Sequence, residues 1–250
     1  MQPIVTIALR AAQSAADKLN YTVNNISQLT AEGATRKDVF DKAIEDAAWR
    51  ARKVIRTAHT RHHIDSVQIG MEESREWDGQ SRWLIDVAAG EVNLRNGYPS
   101  FLVNIALYTK DKIDCVAIVN PMTEEAMTAS KGRGVQFGDR RVRAEYAPLS
   151  NAVCAIETSS VELLSKWQEV SAGLRMTGCA LQSFVDLAAG RVNIALADKM
   201  SPADLSSALL IAQESGALTG DVNGKPVKQD RGELLAAAPK LFKQLMPLGR

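Results

Sequence analysis

Apolar residues recur every three or four positions through Ile4, Ile7, Ala8, Ala11, Ala12, Ala15 and Leu19, which predicts an amphipathic helix over residues 3–20. A second stretch, 39–58, is rich in Ala, Lys and Arg and predicts another long helix. The period then shortens. Residues 66–70 and 82–86 are short apolar runs, each leading into acidic residues, and strand-like runs follow at 100–108, 114–119, 126–129 and 135–138. Turn signals at Thr109-Lys110-Asp111, Asn120-Pro121 and Lys131-Gly132-Arg133-Gly134 separate them, so this part is expected to form a meander.

Beyond about residue 150 strands and helices interleave. A strand is expected at 153–157, helices at 161–174 and 180–189 (the latter closed by Gly190), a strand at 192–197, and a helix at 203–215 opened by Pro202 and closed by Gly216. The pattern predicts a layered α+β architecture. Two lobes, 1–148 and 149–250, are expected to form one compact unit, with no repeat, low-complexity tract or flexible linker between them.

Composition narrows the function. At 250 residues and 46% hydrophobic, the chain can bury a real core. Its 30 basic and 29 acidic residues leave a net charge of +1, so bulk electrostatics favours neither a nucleic acid nor a membrane surface. No apolar run is long enough to span a bilayer, and the N-terminus lacks the pattern of a secretory signal. Cys115, Cys154 and Cys179 are far apart without a CxxC pair, which predicts reduced, buried thiols and a cytoplasmic protein. The three histidines, His59, His62 and His63, cluster where the second helix should end and are expected to be solvated there. Met122, Met127 and Met200 are expected to pack in the core. Arg133, Arg140, Arg141 and Arg143 form a basic group that reads as a solvated hairpin face, with a partner or RNA surface as its alternative.

The richest segment is Trp83-Leu84-Ile85-Asp86-Val87-Ala88-Ala89-Gly90-Glu91-Val92-Asn93-Leu94. It resembles the W-[IVL]-[IV]-D-P-[LI]-D-G-T-T-N-F signature of the inositol monophosphatase family, with Ala89 at the second metal-binding aspartate and Glu91 at the first threonine. Gly70-Met71-Glu72-Glu73-Ser74 resembles the family's G-E-E-S segment, interrupted by Met71. Thr177–Leu181 with 187–192, and Pro202-Ala203-Asp204-Leu205 with Glu214-Ser215-Gly216, are similar to its later motifs. The order and spacing of these fragments over nearly the whole chain identify it as a member of the family, especially of its bacterial SuhB branch.

The resemblance implies a layered αβαβα sugar-phosphatase fold, a homodimer, and a Mg²⁺-dependent hydrolysis of phosphate monoesters. One Mg²⁺ would use Glu72, Asp86 and the backbone carbonyl of Ala88. The second would use Asp86, Asp204 and the aspartate replaced here by Ala89. Asp38 stands as the upstream acid that helps to activate water, Glu91 occupies the position of its threonine partner, and Gly90 is the substrate-binding position. The family glutamate that binds inositol hydroxyls aligns with Ala197, and the tryptophan before the last metal aspartate is Ala203. Asp204, just after Pro202, is equally suited to capping a helix, and Gly90 and Asn93 to making a turn.

Two functional classes follow. The first is a catalytically weak or silent relative with a binding or regulatory role; the SuhB branch implies transcription antitermination and RNA-processing proteins as its partner class. The second is a working Mg²⁺-dependent phosphatase for inositol 1-phosphate or another small phosphate ester, with a one-metal site or one repaired by Glu91. The four departures at Ala89, Glu91, Ala197 and Ala203 favour the first.

Overall fold

The computed structural model describes residues 2–31, 33–228 and 230–245. They divide into two compact units, Met1–Thr128 and Ala129–Arg250. This division falls earlier in the chain than the change of texture near residue 148.

In the first unit Pro3 opens α1 (Pro3–Asn24), where its missing N–H removes no helical bond. After the short α2 (Ile26–Leu29), Thr35 caps α3 (Arg36–Ala58) by accepting the backbone N–H of Asp38. The predicted apolar stripes are buried as expected: Ala8, Ala11, Ala12, Ala15 and Leu19 of α1 meet Phe40, Ala43, Ala47, Ala48 and Ala51 of α3 in one core. Beneath them lies a sheet of β1 (His63–Ser66), β2 (Ser81–Ala89), β3 (Leu102–Thr109) and β4 (Lys112–Val119). β1 runs parallel to β2, and β2, β3 and β4 form the antiparallel meander. Alternate residues Trp83, Ile85, Val103, Ile105, Cys115 and Ala117 turn into the helical core, as a period of two requires. Burial there pushes the Cys115 thiol up to about 12, with the charge of Asp114 adding to the effect.

The strand expected at 66–70 lies earlier, at β1. Residues 67–69 form a turn instead, because Gly70 adopts φ 75° and donates its N–H to Ser66 O. The chain folds back so far that Ile64 and Glu72 exchange both backbone hydrogen bonds.

In the second unit, β5 (Ala126–Ser130) crosses the division, and β6 (Gly134–Phe137) and β7 (Arg140–Val142) make a hairpin. The rest is β8 (Val153–Glu157), α5 (Val161–Val170), β9 (Gly173–Arg175), α6 (Ala180–Ala188), β10 (Ile194–Ala197), α7 (Pro202–Glu214), β11 (Leu218–Gly220), β12 (Leu234–Ala237) and α8 (Pro239–Leu245). The strands order as β11-β12-β10-β8-β9. Cys154, Ile156, Ile194, Leu196, Leu235 and Ala237 face Trp167 of α5 and Phe242 of α8, while α6 and α7 pack on the sheet's other side. The first unit thus has one helix layer and one sheet layer, and the second a sheet between two helix layers.

The helix expected to run to residue 174 stops at Val170. Ser171 Oγ donates to Trp167 O, and Ala172 N–H bonds to Ala152 O, drawing the chain into β9 beside β8. The three cysteines are buried and free, as expected, and Met127 and Met200 are core residues. The histidines are partly buried, not fully solvated. His59 and His62 stack with ring centroids 4.5 Å apart, and Trp83 Nε1 donates to His62 Nδ1 at 2.9 Å. Burial lowers both imidazole pKa values.

Candidate functional site

β2 and the segment after it build the site. A bulge between Asp86 and Ala89 interrupts pairing with β3, so the alternation fails and Asp86, Val87, Ala88 and Ala89 are all buried. Gly90, at φ 83°, then turns the chain into α4 (Glu91–Asn96), which closes at Gly97. Asn93 fastens this turn by donating from Nδ2 to Ser100 O at 2.6 Å. Gly90 and Asn93 therefore make the turn their residue types suggest.

Asp86 is only 7% exposed. Its Oδ1 accepts Gln68 Nε2 at 2.8 Å and Ala88 N–H at 3.0 Å. Gln68 is held in turn, since its Oε1 accepts Val87 N–H at 3.2 Å. Burial pushes the carboxyl of Asp86 up, the two hydrogen bonds oppose this, and the charge of Glu91 pushes the same way as burial.

Glu72 faces other partners. Arg56 Nε donates to its Oε1 at 2.6 Å, and Arg52 Nε lies 3.6 Å from its Oε2. Arg52 also donates to Gly70 O and stacks over Trp49, while Arg56 binds the carbonyls of Thr60 and His62 at 2.8 and 2.9 Å. These arginines of α3 pin the 67–72 turn, and Glu72 is the anion they share.

Asp38 sits in the first turn of α3, where Thr35 Oγ1 donates to its Oδ2 at 2.6 Å while accepting its N–H. It is a reciprocal cap. The acid that approaches Glu91 is Asp41, one turn on. Arg95 donates to Glu91 Oε1 through Nε at 2.7 Å and to Asp41 Oδ1 through Nη2 at 2.6 Å. Lys37 Nζ holds the other oxygen of Asp41 at 2.6 Å. Hydrogen bonds from Lys37 and Arg95 lower the pKa of Asp41. Nothing in the signature resemblance points to Asp41 or Arg95. The signal was the i,i+4 spacing of Glu91 with Arg95 and of Lys37 with Asp41.

Asp204 belongs to the second unit. It is not the N-cap of α7; Ser201 is, its Oγ accepting the Asp204 N–H at 3.1 Å. Ala197 and Ala203 are both buried.

Asp41, Ile44, Trp49, Gln68, Glu91 and Arg95 line a cleft of about 390 Å³. Mg²⁺ requires octahedral oxygen ligands at roughly 2.0–2.1 Å. In the first unit Glu72 has both oxygens engaged by guanidinium groups, Asp86 Oδ1 takes two N–H groups, and Glu91 is paired with Arg95. In this arrangement Glu72 and Glu91 each face arginine. Among the described residues no group of three His, Cys, Asp or Glu is placed to hold a metal.

Three comparisons place the chain. Its sequence is 28% identical to the Nus factor SuhB of Vibrio cholerae and 27% identical to that of Pseudomonas aeruginosa, each alignment covering 98% of this chain and 95% of the relative. Its fold matches the extragenic suppressor protein suhB of Bartonella henselae with a TM-score of 0.87 at 22% identity, over 100% of this chain and 99% of that one. The Thermotoga maritima IMPase matches with a TM-score of 0.84 at 18% identity, over 99% and 97% of the two chains. These neighbours share its layered arrangement of helices and sheets. The profile of the inositol monophosphatase family matches residues 1–248, and the chain belongs to that family.

Proposed function

We propose that this chain is a SuhB-like protein whose Mg²⁺-dependent phosphatase site is degenerate, with weak or no phosphatase activity and a binding or regulatory role alongside transcription or RNA machinery. The observation that carries the reading is the pairing of Glu91 through Arg95 to Asp41, next to an alanine at position 89. Glu91 stands where the family's signature has threonine, beside the turn at Gly90 that the resemblance assigns to substrate phosphate. A second negative charge there repels an incoming phosphate, and the pairing with Arg95 turns the carboxylate away from the role of replacement ligand. The partner class rests on the Nus factors among the relatives. A cytoplasmic homodimer is part of the same proposal.

One observation favours the second reading, an active phosphatase for inositol 1-phosphate or a related monoester. Asp86 is retained, and its burial destabilises the carboxylate, which is the state of a ligand awaiting a cation. Mg²⁺-dependent phosphate release from inositol 1-phosphate separates the two, with Asp204→Asn and Ala89→Asp measured alongside. Silence in the wild type supports the proposal, and a gain in Ala89→Asp would identify the missing carboxylate as the block. Efficient wild-type turnover that Asp204→Asn abolishes would overturn it.

A further inference from the structure

The second unit carries a charged surface that the phosphatase motifs do not explain. Between residues 131 and 143 there are five cations, Lys131, Arg133, Arg140, Arg141 and Arg143, against the single acid Asp139, in a chain whose net charge is only +1. All five side chains are exposed. Lys131, Arg140, Arg141 and Arg143 make no ion pair among the described residues.

The scaffold under these charges is firm. β6 and β7 pair Val135 with Val142, Gln136 with Arg141 and Phe137 with Arg140, across a two-residue turn whose Gly138 has φ 57°. Val135 is fully buried, so the register points Gln136 and Arg141 away from the core, and Arg143 shares the side of Arg141 by the period of two. The entry loop is clamped: Gly132 N–H and Gly134 N–H bond to the two carboxylate oxygens of Glu214 on α7, at 2.7 and 2.8 Å. Arg141 lies across Gly134, its Nη2 only 2.8 Å from where a Cβ would stand, and the φ of 82° at this position favours glycine. Behind the ribbon, Arg191 stacks on Phe137 at 4.9 Å.

We infer that this hairpin is a docking surface for the phosphodiester backbone of a single-stranded nucleic acid. Arginine predominates, and its planar fork matches phosphate oxygens in pairs. The cations are spaced along an extended ribbon, which suits a chain of regularly repeated charges. Tyr146, three residues beyond Arg143, is half exposed with Lys240 Nζ 4.6 Å from its ring centroid, which adds a further cation beside the ribbon and leaves the opposite ring face for a stacking base. The inference goes beyond the degenerate-phosphatase reading, and holds or fails whether or not phosphate esters are hydrolysed.

The test is fluorescence anisotropy of the full chain with a labelled single-stranded RNA of about 20 nucleotides and a DNA of equal length, across a salt series. If Lys131, Arg141 and Arg143 each neutralise one phosphate, log K falls against log salt with a slope of about −2.1, or about 18-fold weaker binding on a fourfold rise in salt. Arg141→Gln with Arg143→Gln should cut that slope to about −0.7, with melting unchanged because both side chains are exposed. Lys42→Gln with Lys112→Gln, two exposed cations of the first unit, should leave it unaltered. RNA bound more tightly than DNA identifies RNA as the source of the backbone, and equal binding supports the shared chemistry. An unchanged slope in the arginine pair, an equal loss in the lysine pair, no binding at low salt, or equal competition by polyglutamate would each overturn the inference.

Discussion

Replacing Glu72 with Gln tests what that acid is for. If Glu72 serves the arginines of α3, the substitution removes the anion facing Arg52, whose side chain is only 6% exposed, and weakens the 2.6 Å bond from Arg56. Burial already lowers the pKa of Arg52, and the charge of Glu72 is the largest influence supporting the guanidinium. A hydrogen bond to a charged group contributes about 1.5–3 kcal/mol, and a neutral acceptor keeps roughly half of that. Leaving Arg52 buried without its anion adds to the loss, but Glu72 is 35% exposed, so solvent screening reduces the sum. The net expectation is about 2 kcal/mol, or a melting midpoint lowered by about 4–8 °C for a chain of this length. Tryptophan fluorescence is a suitable probe, because Trp49, Trp77 and Trp83 lie in the first unit and only Trp167 in the second. The melt is recorded with a chelator present. An acid held ready for a metal would, without that metal, add only repulsion toward Asp86. A midpoint unchanged or raised in Glu72→Gln would therefore refute the assignment of Glu72 to the arginine clamp.

Three further outcomes follow from the same geometry. Asp86→Asn keeps the acceptor for Gln68 and Ala88 but removes the buried charge. Because the folded carboxyl is shifted upward, its stabilisation is complete below the unfolded pKa and is lost as pH rises through the folded one. The variant should melt with the wild type in acid and above it near neutrality; a constant offset would contradict this. For His62 the direction reverses: its folded pKa is depressed, so stability present above an unfolded value of about 6.5 is lost as pH falls. The advantage of wild type over His62→Gln should shrink between neutral pH and about pH 5, and a gap that stays constant would show that the ring carries no such linkage. Arg95→Met frees Glu91 and the Oδ1 of Asp41, whose other oxygen stays with Lys37, in a cleft that Trp49 also lines, so terbium luminescence sensitised by tryptophan should appear in the variant and not in wild type. Equal emission from both would show that Arg95 does not occupy the place of a cation.

The sequence pattern located the long helices well because their buried stripes are continuous, as in Ala8 to Leu19 and Ala43 to Ala51. It located the meander because each strand of the first unit has one face against those helices. It missed β9, β11, β12 and α8, which are three to seven residues long and too short to show a period. At the site, the unusual residues at 89 and 91 were plain from the motif. Their partners were not: Asp41 is 54 positions from Arg95, and Glu72 is 16 from Arg56. Only the folded chain decides which of several nearby acids each arginine takes.

The bulge at the end of β2 also sets what a second carboxylate would cost the fold. Position 89 is 4% exposed, and Asp86 is already buried three residues before it. An alanine there lets the strand close over with no charge to solvate. Restoring aspartate would place a second carboxylate in a dry pocket before any cation could repay the desolvation, while Arg95 remains committed to Glu91 and Asp41. Ala89→Asp is therefore expected to melt below the wild type when no cation is present. The dry bulge thus sets a stability cost on a carboxylate at position 89 that only a bound cation would offset.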